Sequence, residues 1–201
     1  MEKIRAFVAI ELPEQLIEAL ARVAEDIRKN AGGGGGRVSW TKPGNIHLTI
    51  KFLGDIDPED LEKVREALSE AASVVPPFRL ACRGVGGFPG IRRPRVIWVG
   101  LDDCPGLAAL RERIEDGLAA LGFERDERAF HPHLTLCRVK APAGARAIGR
   151  AAGDAGAAGA VDGAGPWEFT VESFVLMRSE LSPKGARHTV LERIPLYTRS
   201  G

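Results

Sequence analysis

His47-Leu48-Thr49-Ile50 and His133-Leu134-Thr135-Leu136 are two copies of one pattern, His-x-Thr-x with an aliphatic residue at each x. Successive side chains of a β-strand point to opposite faces. Each copy therefore reads as a strand that sinks its aliphatic pair into a core and presents a His/Thr pair on the other side. The chain has only four histidines, and two of them sit in these matched positions. Such economy points to a site assembled from two half-sites.

The segments around the two copies set the fold class. Ile4 to Leu12 is an apolar run expected to be a buried strand, and Pro13 opens a helical pattern (Leu16, Ile17, Leu20, Val23, Ile27) that stops near Asn30. Gly32 to Gly36 then form a loop. It lacks the Gly-Lys-Ser/Thr ending of a nucleotide-binding P-loop and precedes no helix. A short strand, Val38 to Thr41, leads by a Lys-Pro-Gly-Asn turn into the first motif strand, Ile46 to Leu53. A helix with its stripe on Leu61, Val64, Leu68 and Ala72 follows and ends at Pro76-Pro77. Strands are expected at Phe78 to Val85 and Arg95 to Leu101, then a helix through Leu107, Leu110, Ile114 and Leu118, then the second motif strand, Pro132 to Val139. Ala141 to Gly165 is rich in Ala and Gly; helix is expected only from Ala145 to Ala152, within a poorly specified connection. Two long strands, Trp167 to Arg178 and Arg187 to Leu196, close as a hairpin through Ser182-Pro183-Lys184-Gly185. Helices punctuating strands that neighbour their sequence partners favour an α+β fold with antiparallel sheets. Each motif strand has a helix close by in sequence, which suggests two similar lobes with one motif apiece.

Composition excludes several functions. The 28 basic and 27 acidic residues leave a net charge of +1, which argues against bulk wrapping of nucleic acid and leaves room for a small anion met by a few arginines. The three cysteines (Cys82, Cys104, Cys137) form no CxxC pair, so neither a disulfide framework nor a cysteine zinc site is expected. No apolar run approaches the ~20 residues of a membrane span, and the N-terminal residues lack the form of a signal peptide. A soluble, cytoplasmic, monomeric protein with no membrane association is expected.

Two histidines flanking one substrate can serve as base and acid in a single displacement, each typically worth ~10²–10⁴-fold. The threonines add hydroxyl donors for oxygens on which charge develops. No carboxylate lies within the repeated unit, HExxH is absent, and only His131-Pro132-His133 hints at a metal pair. The chemistry that fits is attack at phosphorus with departure of an alcohol.

These residues, with Arg5-Ala6-Phe7-Val8-Ala9-Ile10, Lys51-Phe52-Leu53-Gly54, Gly84-Val85-Gly86-Gly87-Phe88-Pro89, Arg95-Val96-Ile97-Trp98-Val99-Gly100, Cys137-Arg138 and Ser179 to Gly185, resemble the two-histidine phosphoesterase superfamily over nearly the whole chain. Within it the resemblance is to the RNA 2′,3′-cyclic phosphodiesterases, also called 2′-5′ RNA ligases. It implies residues 1–201 as a single domain of two pseudo-symmetric lobes: a bilobal α+β fold, two antiparallel sheets with flanking helices around a central cleft. It also implies metal-independent hydrolysis, with no cofactor, of a 2′,3′-cyclic phosphate on RNA ends or nucleosides to the 2′-phosphomonoester. His47 and His133 inherit the catalytic roles, with His133 taken as base and His47 as acid, though the motifs allow the reverse. Thr49, Thr135 and Arg138 inherit phosphate binding. Strict alternation turns Arg138 away from His133, so it reaches phosphate only if the strand twists, ends or bulges. Lys51, on the alternating face of His47, Phe88, and His188, where the family often has tyrosine, are further candidate substrate contacts. Trp40 is a candidate for base stacking, Trp98 is expected in the core, and Arg92, Arg93 and Arg95 form a basic cluster before a strand. The alternatives are a 2′-5′ ligase or phosphodiesterase on the same residues, and a non-catalytic RNA- or nucleotide-binding module.

Overall fold

The apolar patterning resolves, among the described residues, into nine strands and four helices. The computed structural model describes residues 2–32, 38–161, 165, 167–182 and 185–197. In chain order the elements are β1 (Ile4–Ile10), α1 (Glu14–Asn30), β2 (Val38–Trp40), β3 (Leu48–Ile56), α2 (Leu61–Ala72), β4 (Phe78–Phe88), β5 (Val96–Leu101), α3 (Pro105–Ala120), β6 (His133–Val139), α4 (Pro142–Ala157), β7 (Glu168–Val171), β8 (Ser173–Ser182) and β9 (Gly185–Pro195). Gly33 to Gly36 of the expected glycine loop and Pro183-Lys184 of the expected hairpin turn lie outside the described residues.

The strands run β7-β4-β5-β6-β3-β1-β8-β9, all antiparallel, with β2 paired to β6. The two expected sheets are thus joined, and the join is slight. β3 and β6 share the single pair Leu48↔Leu134, the first x of each motif. β6 is the common rail, with β5 on one edge and β3 followed by β2 on the other.

One face of this sheet is covered by helices. α1 and α4 pack together and on the β4–β6 half; α2 and α3 pack together, with α2 on β9 and α3 on β3 and β4. Leu48, Ile50, Leu134 and Leu136 lie in the main core with Leu16, Leu20, Leu68, Ile114 and Leu118 from the helices. Burial of each such side chain stabilises the fold by about 1.5–3 kcal/mol. The aliphatic half of each motif therefore does what alternation requires.

The Ala/Gly-rich segment departs from expectation. It is a 16-residue helix, α4, beginning at Pro142 and reaching Ala157. Ala is the best helix former and Pro is well placed at the first position. The glycines permit close approach: a Cβ on Gly149 would lie 2.0 Å from the Ile91 carbonyl oxygen. Small side chains here bring α4 against the loop between β4 and β5, a tertiary reason invisible to local periodicity. Trp167 precedes β7, and the strand expected from Trp167 to Arg178 breaks at Glu172 into β7 and β8. No helix among the described residues is long and apolar enough to cross a membrane.

Candidate active site

The register that joins β3 to β6 also brings the motifs together. With Leu48 opposite Leu134 in antiparallel sense, the same register carried one residue further directs His47 toward Thr135 and His133 toward Thr49. Positions offset as the two histidines are lie about 7–8 Å apart in a regular ladder, room for one phosphoryl group between two imidazoles. His47, Thr49, His133 and Thr135 are all half-buried, while Leu48 and Leu134 between them are fully buried.

Each histidine is held from behind by the carbonyl of the residue two places earlier. His133 Nδ1 lies 2.7 Å from the His131 carbonyl oxygen, which can only accept, so Nδ1 carries the hydrogen and Nε2 is left with its lone pair. The Asn45 backbone carbonyl does the same for His47. Asn45 in turn donates from Nδ2 to the Ala186 carbonyl (2.9 Å), tying the turn before β3 to β9.

Both imidazoles are disposed to stay neutral. Burial, then the neighbouring His188, pull His47 down to about 4, against the Asn45 hydrogen bond, which favours the proton. His133 is lowered by burial and by the positive charge of Arg138, again opposed by its carbonyl bond. Aromatic rings pack each one. Phe7 stacks on His47 at 4.9 Å, and His188 meets both His47 (5.3 Å) and Phe7 (5.0 Å) edge-on. Phe88 meets His133 edge-on at 5.1 Å, with Trp98 behind it. Burial lowers His188 too, and its Nδ1 is buried without a hydrogen-bond partner.

Two bulges decide the residues beyond the motifs. On β6, Thr135 pairs with Trp98 and Cys137 with Ile97, leaving Leu136 as an extra residue. Leu136 and Cys137 are consequently both in the core, and Arg138 returns to the face of His133 and Thr135. On β3, Ala9 pairs with Thr49 and Val8 with Lys51, leaving Ile50 as the extra residue. Here the bulge overturns an expectation. Lys51 does not border the cleft; it is 6% exposed and points at α3, with Nζ 2.6 Å from Glu115 Oε2 and 2.7 Å from the Glu124 carbonyl. The residue on the cleft face is Phe52, in contact with Phe7 and 68% exposed.

Trp98 is also corrected. It is half-buried on the cleft face beside Phe88 and His133, because Gly86 opposite it leaves room for the indole; a Cβ there would meet the ring at 2.2 Å. Trp40 pairs with Cys137 and packs on the main core instead. Phe7, Phe52 and Asn45 were not singled out by sequence. Phe7 is concealed within an apolar run, whereas the adjacent apolar residues Leu136-Cys137 do mark the phase change that redirects Arg138. His131 is exposed, and among the described residues no three His, Cys, Asp or Glu side chains converge as a metal site.

The chain as a whole has matches among known proteins. A model of LigT-like phosphoesterases fits twice, at residues 10–98 and 99–188. The chain belongs to the LigT-like phosphoesterase family. RNA 2′,3′-cyclic phosphodiesterase of Methanothermobacter thermautotrophicus is 31% identical over 94% of this chain and 97% of its own, and that of Thermus thermophilus 34% over 98% and 92%. Among solved structures, a Thermus thermophilus protein superposes with a TM-score of 0.76 at 30% identity, covering 98% of this chain and 100% of its own. E. coli LigT complexed with 3′-AMP gives 0.71 at 28%, with the same coverage. Both repeats thus fall within a phosphoesterase family of α+β fold.

Proposed function

We propose that this LigT-like protein hydrolyses the 2′,3′-cyclic phosphate of RNA ends or nucleosides to the 2′-phosphomonoester, without metal or organic cofactor. The observation that supports the reading is the antiparallel pairing Leu48↔Leu134, which brings the two His-x-Thr motifs alongside each other. The names of the relatives supply the substrate class. Residues 1–201 then act as one unit of two pseudo-symmetric lobes, each contributing a motif.

His133 is the base. Its Nδ1–H is pinned by the His131 carbonyl, and burial, reinforced by the Arg138 charge, favours the neutral ring. Nε2 takes a proton from water as the water oxygen bonds to phosphorus. The bond from phosphorus to O3′ breaks in line, and His47 donates a proton to that oxygen. His47 acquires its proton on substrate binding, because the arriving negative charge offsets the burial that otherwise keeps it neutral. Thr49 and Thr135 donate to the non-bridging oxygens, and Arg138 neutralises their charge. Phe88 and His188 hold the imidazoles edge-on and border the bound nucleotide.

Incubation with a nucleoside 2′,3′-cyclic phosphate in excess chelator, with the product isomer read by phosphorus NMR, tests the reading. The expected product is the 2′-phosphate, and His47→Ala and His133→Ala should each lower kcat by ~10²–10⁴-fold. Exclusive 3′-phosphate, full activity in either variant, or loss of turnover with chelator would overturn it. Binding with no turnover would favour the non-catalytic module.

A further inference from the structure

Immediately beyond the site lies a hollow of about 840 Å³, walled by the loop between β4 and β5, the end of β6 and the start of α4. Four cations project from its lining, Arg93, Arg95, Lys140 and Arg146, and the lining contains no acidic residue. All four are exposed, and none makes an ion pair or side-chain hydrogen bond with a described residue. Outside the hollow some basic side chains are met by carboxylates, as in Arg79–Glu168, Arg83–Asp102 and Arg125–Glu112, and others, such as Arg113 and Arg150, are scattered singly over the surface. The second hollow, around Glu124 to Arg128, mixes both signs. In a chain of net charge +1, four cations and no carboxylate line this one concavity. The positive end of the α4 dipole opens onto it as well, at Ala141.

The hollow is continuous with the site along two chain segments. Pro89 in its wall directly follows Phe88, which touches His133. Lys140 lies two residues beyond Arg138, about 7 Å along the strand direction. The Val139 N–H donates to the Arg95 carbonyl at 2.8 Å, locking the two basic segments side by side. An anion seated between His47 and His133 is thus followed, in one direction, by a further row of unpaired cations.

We propose that this hollow binds the phosphodiester backbone of RNA on the 5′ side of the terminal nucleotide, so that oligoribonucleotide ends are preferred over free nucleoside cyclic phosphates. The proposal rests on the cyclic phosphodiesterase reading for which end of the RNA lies in the site. Exposed, flexible cations without base-reading partners fit a sequence-independent backbone contact.

The test uses Arg93→Gln/Lys140→Gln/Arg146→Gln in the full chain, with two readouts. Fluorescence anisotropy follows binding of a 5′-labelled octaribouridylate ending in a 2′-phosphate across a salt series. Turnover of uridine 2′,3′-cyclic phosphate is followed in parallel. The expected result is RNA binding weakened roughly tenfold or more, with the log–log salt slope reduced by about 2, since each phosphate contact on single strands contributes about 0.7. Mononucleotide turnover should stay within twofold of wild type. Unchanged RNA affinity and salt slope would overturn the proposal, as would a loss shared equally by the mononucleotide, or poly-glutamate competing as well as RNA. If the wild-type protein hydrolyses neither the mononucleotide nor an octaribouridylate ending in a 2′,3′-cyclic phosphate, the catalytic reading falls while anisotropy still decides the hollow. Should the triple variant not fold, Arg146→Gln alone is expected to remove about 0.7 from the slope.

Discussion

His47 and His133 are both poorer proton carriers in the free protein than an exposed imidazole. A required acid loses activity as pH rises past its own titration, and His47 titrates at about 4. A required base gains activity until it is deprotonated, and His133 reaches that state below 6.5 because burial and Arg138 both disfavour its proton. Both limbs of the bell lie on the acid side, so the maximum of kcat/KM, which reports the free enzyme, is expected below pH 6.5. Arg138→Gln should move the limb belonging to His133 upward while raising KM. A maximum above pH 7 in the wild-type protein, or a limb that ignores Arg138→Gln, would contradict these roles. The histidines and threonines were legible as a pair in the sequence because their spacing and aliphatic partners repeat. Arg138 was named by resemblance against strict alternation, a conflict that the adjacent apolar pair Leu136-Cys137 resolves, and Lys51 was misplaced because no such apolar pair marks the bulge at Ile50.

The Lys51–Glu115 contact belongs to the scale of elements, where it fastens β3 to α3. Both side chains are almost wholly buried, and Arg111 stands 3.6 Å from the second carboxylate oxygen of Glu115. Removing Lys51 leaves the buried Glu115 with only the more distant Arg111, so Lys51→Met is expected to cost up to about 3–5 kcal/mol, whereas Lys51→Met/Glu115→Leu should recover much of that loss. Urea unfolding midpoints for the two variants check this; equal destabilisation would show that the unpaired Glu115 charge is not the source of the loss. The same comparison separates structure from chemistry, because a lysine that touched substrate would lower kcat/KM in both variants alike. α4 teaches the complementary lesson. Its helix was underestimated because Ala and Gly carry almost no periodic signal, yet their smallness lets the helix approach the β4–β5 loop closely enough to wall the basic hollow.

For the molecule as a whole, acid should act through the buried histidine. The native pKa of His47 is depressed, so the unfolded chain binds the extra proton between pH 6.5 and about 4, and stability falls as pH falls through that window. The loss attributable to His47 is about 3 kcal/mol at the acid end. His47→Gln should therefore show a smaller drop in Tm between pH 7 and pH 4 than the wild-type chain, by calorimetry; an identical drop would reject the assignment. Thiol chemistry gives a second whole-chain readout. Burial pushes Cys82 and Cys137 up to about 12, while Cys104 is only half-buried. One equivalent of thiol should react with an aromatic disulfide reagent in the native state and three after denaturation.

The paired bulges carry a consequence for regiochemistry. A five-membered cyclic phosphate offers two ester bonds of nearly equal strength, and a site with true two-fold symmetry would break either one. The imidazoles, the hydroxyls and their carbonyl supports all repeat about the Leu48–Leu134 rung. The first position after each bulge to face the cleft does not: it is Phe52 in one half and Arg138 in the other. A flat apolar ring and a guanidinium cannot accept the same end of a nucleotide. On the proposed reaction the decision between O2′ and O3′ as leaving group falls to the place where the repeat breaks, and exchanging those two side chains should blur the ratio of product isomers.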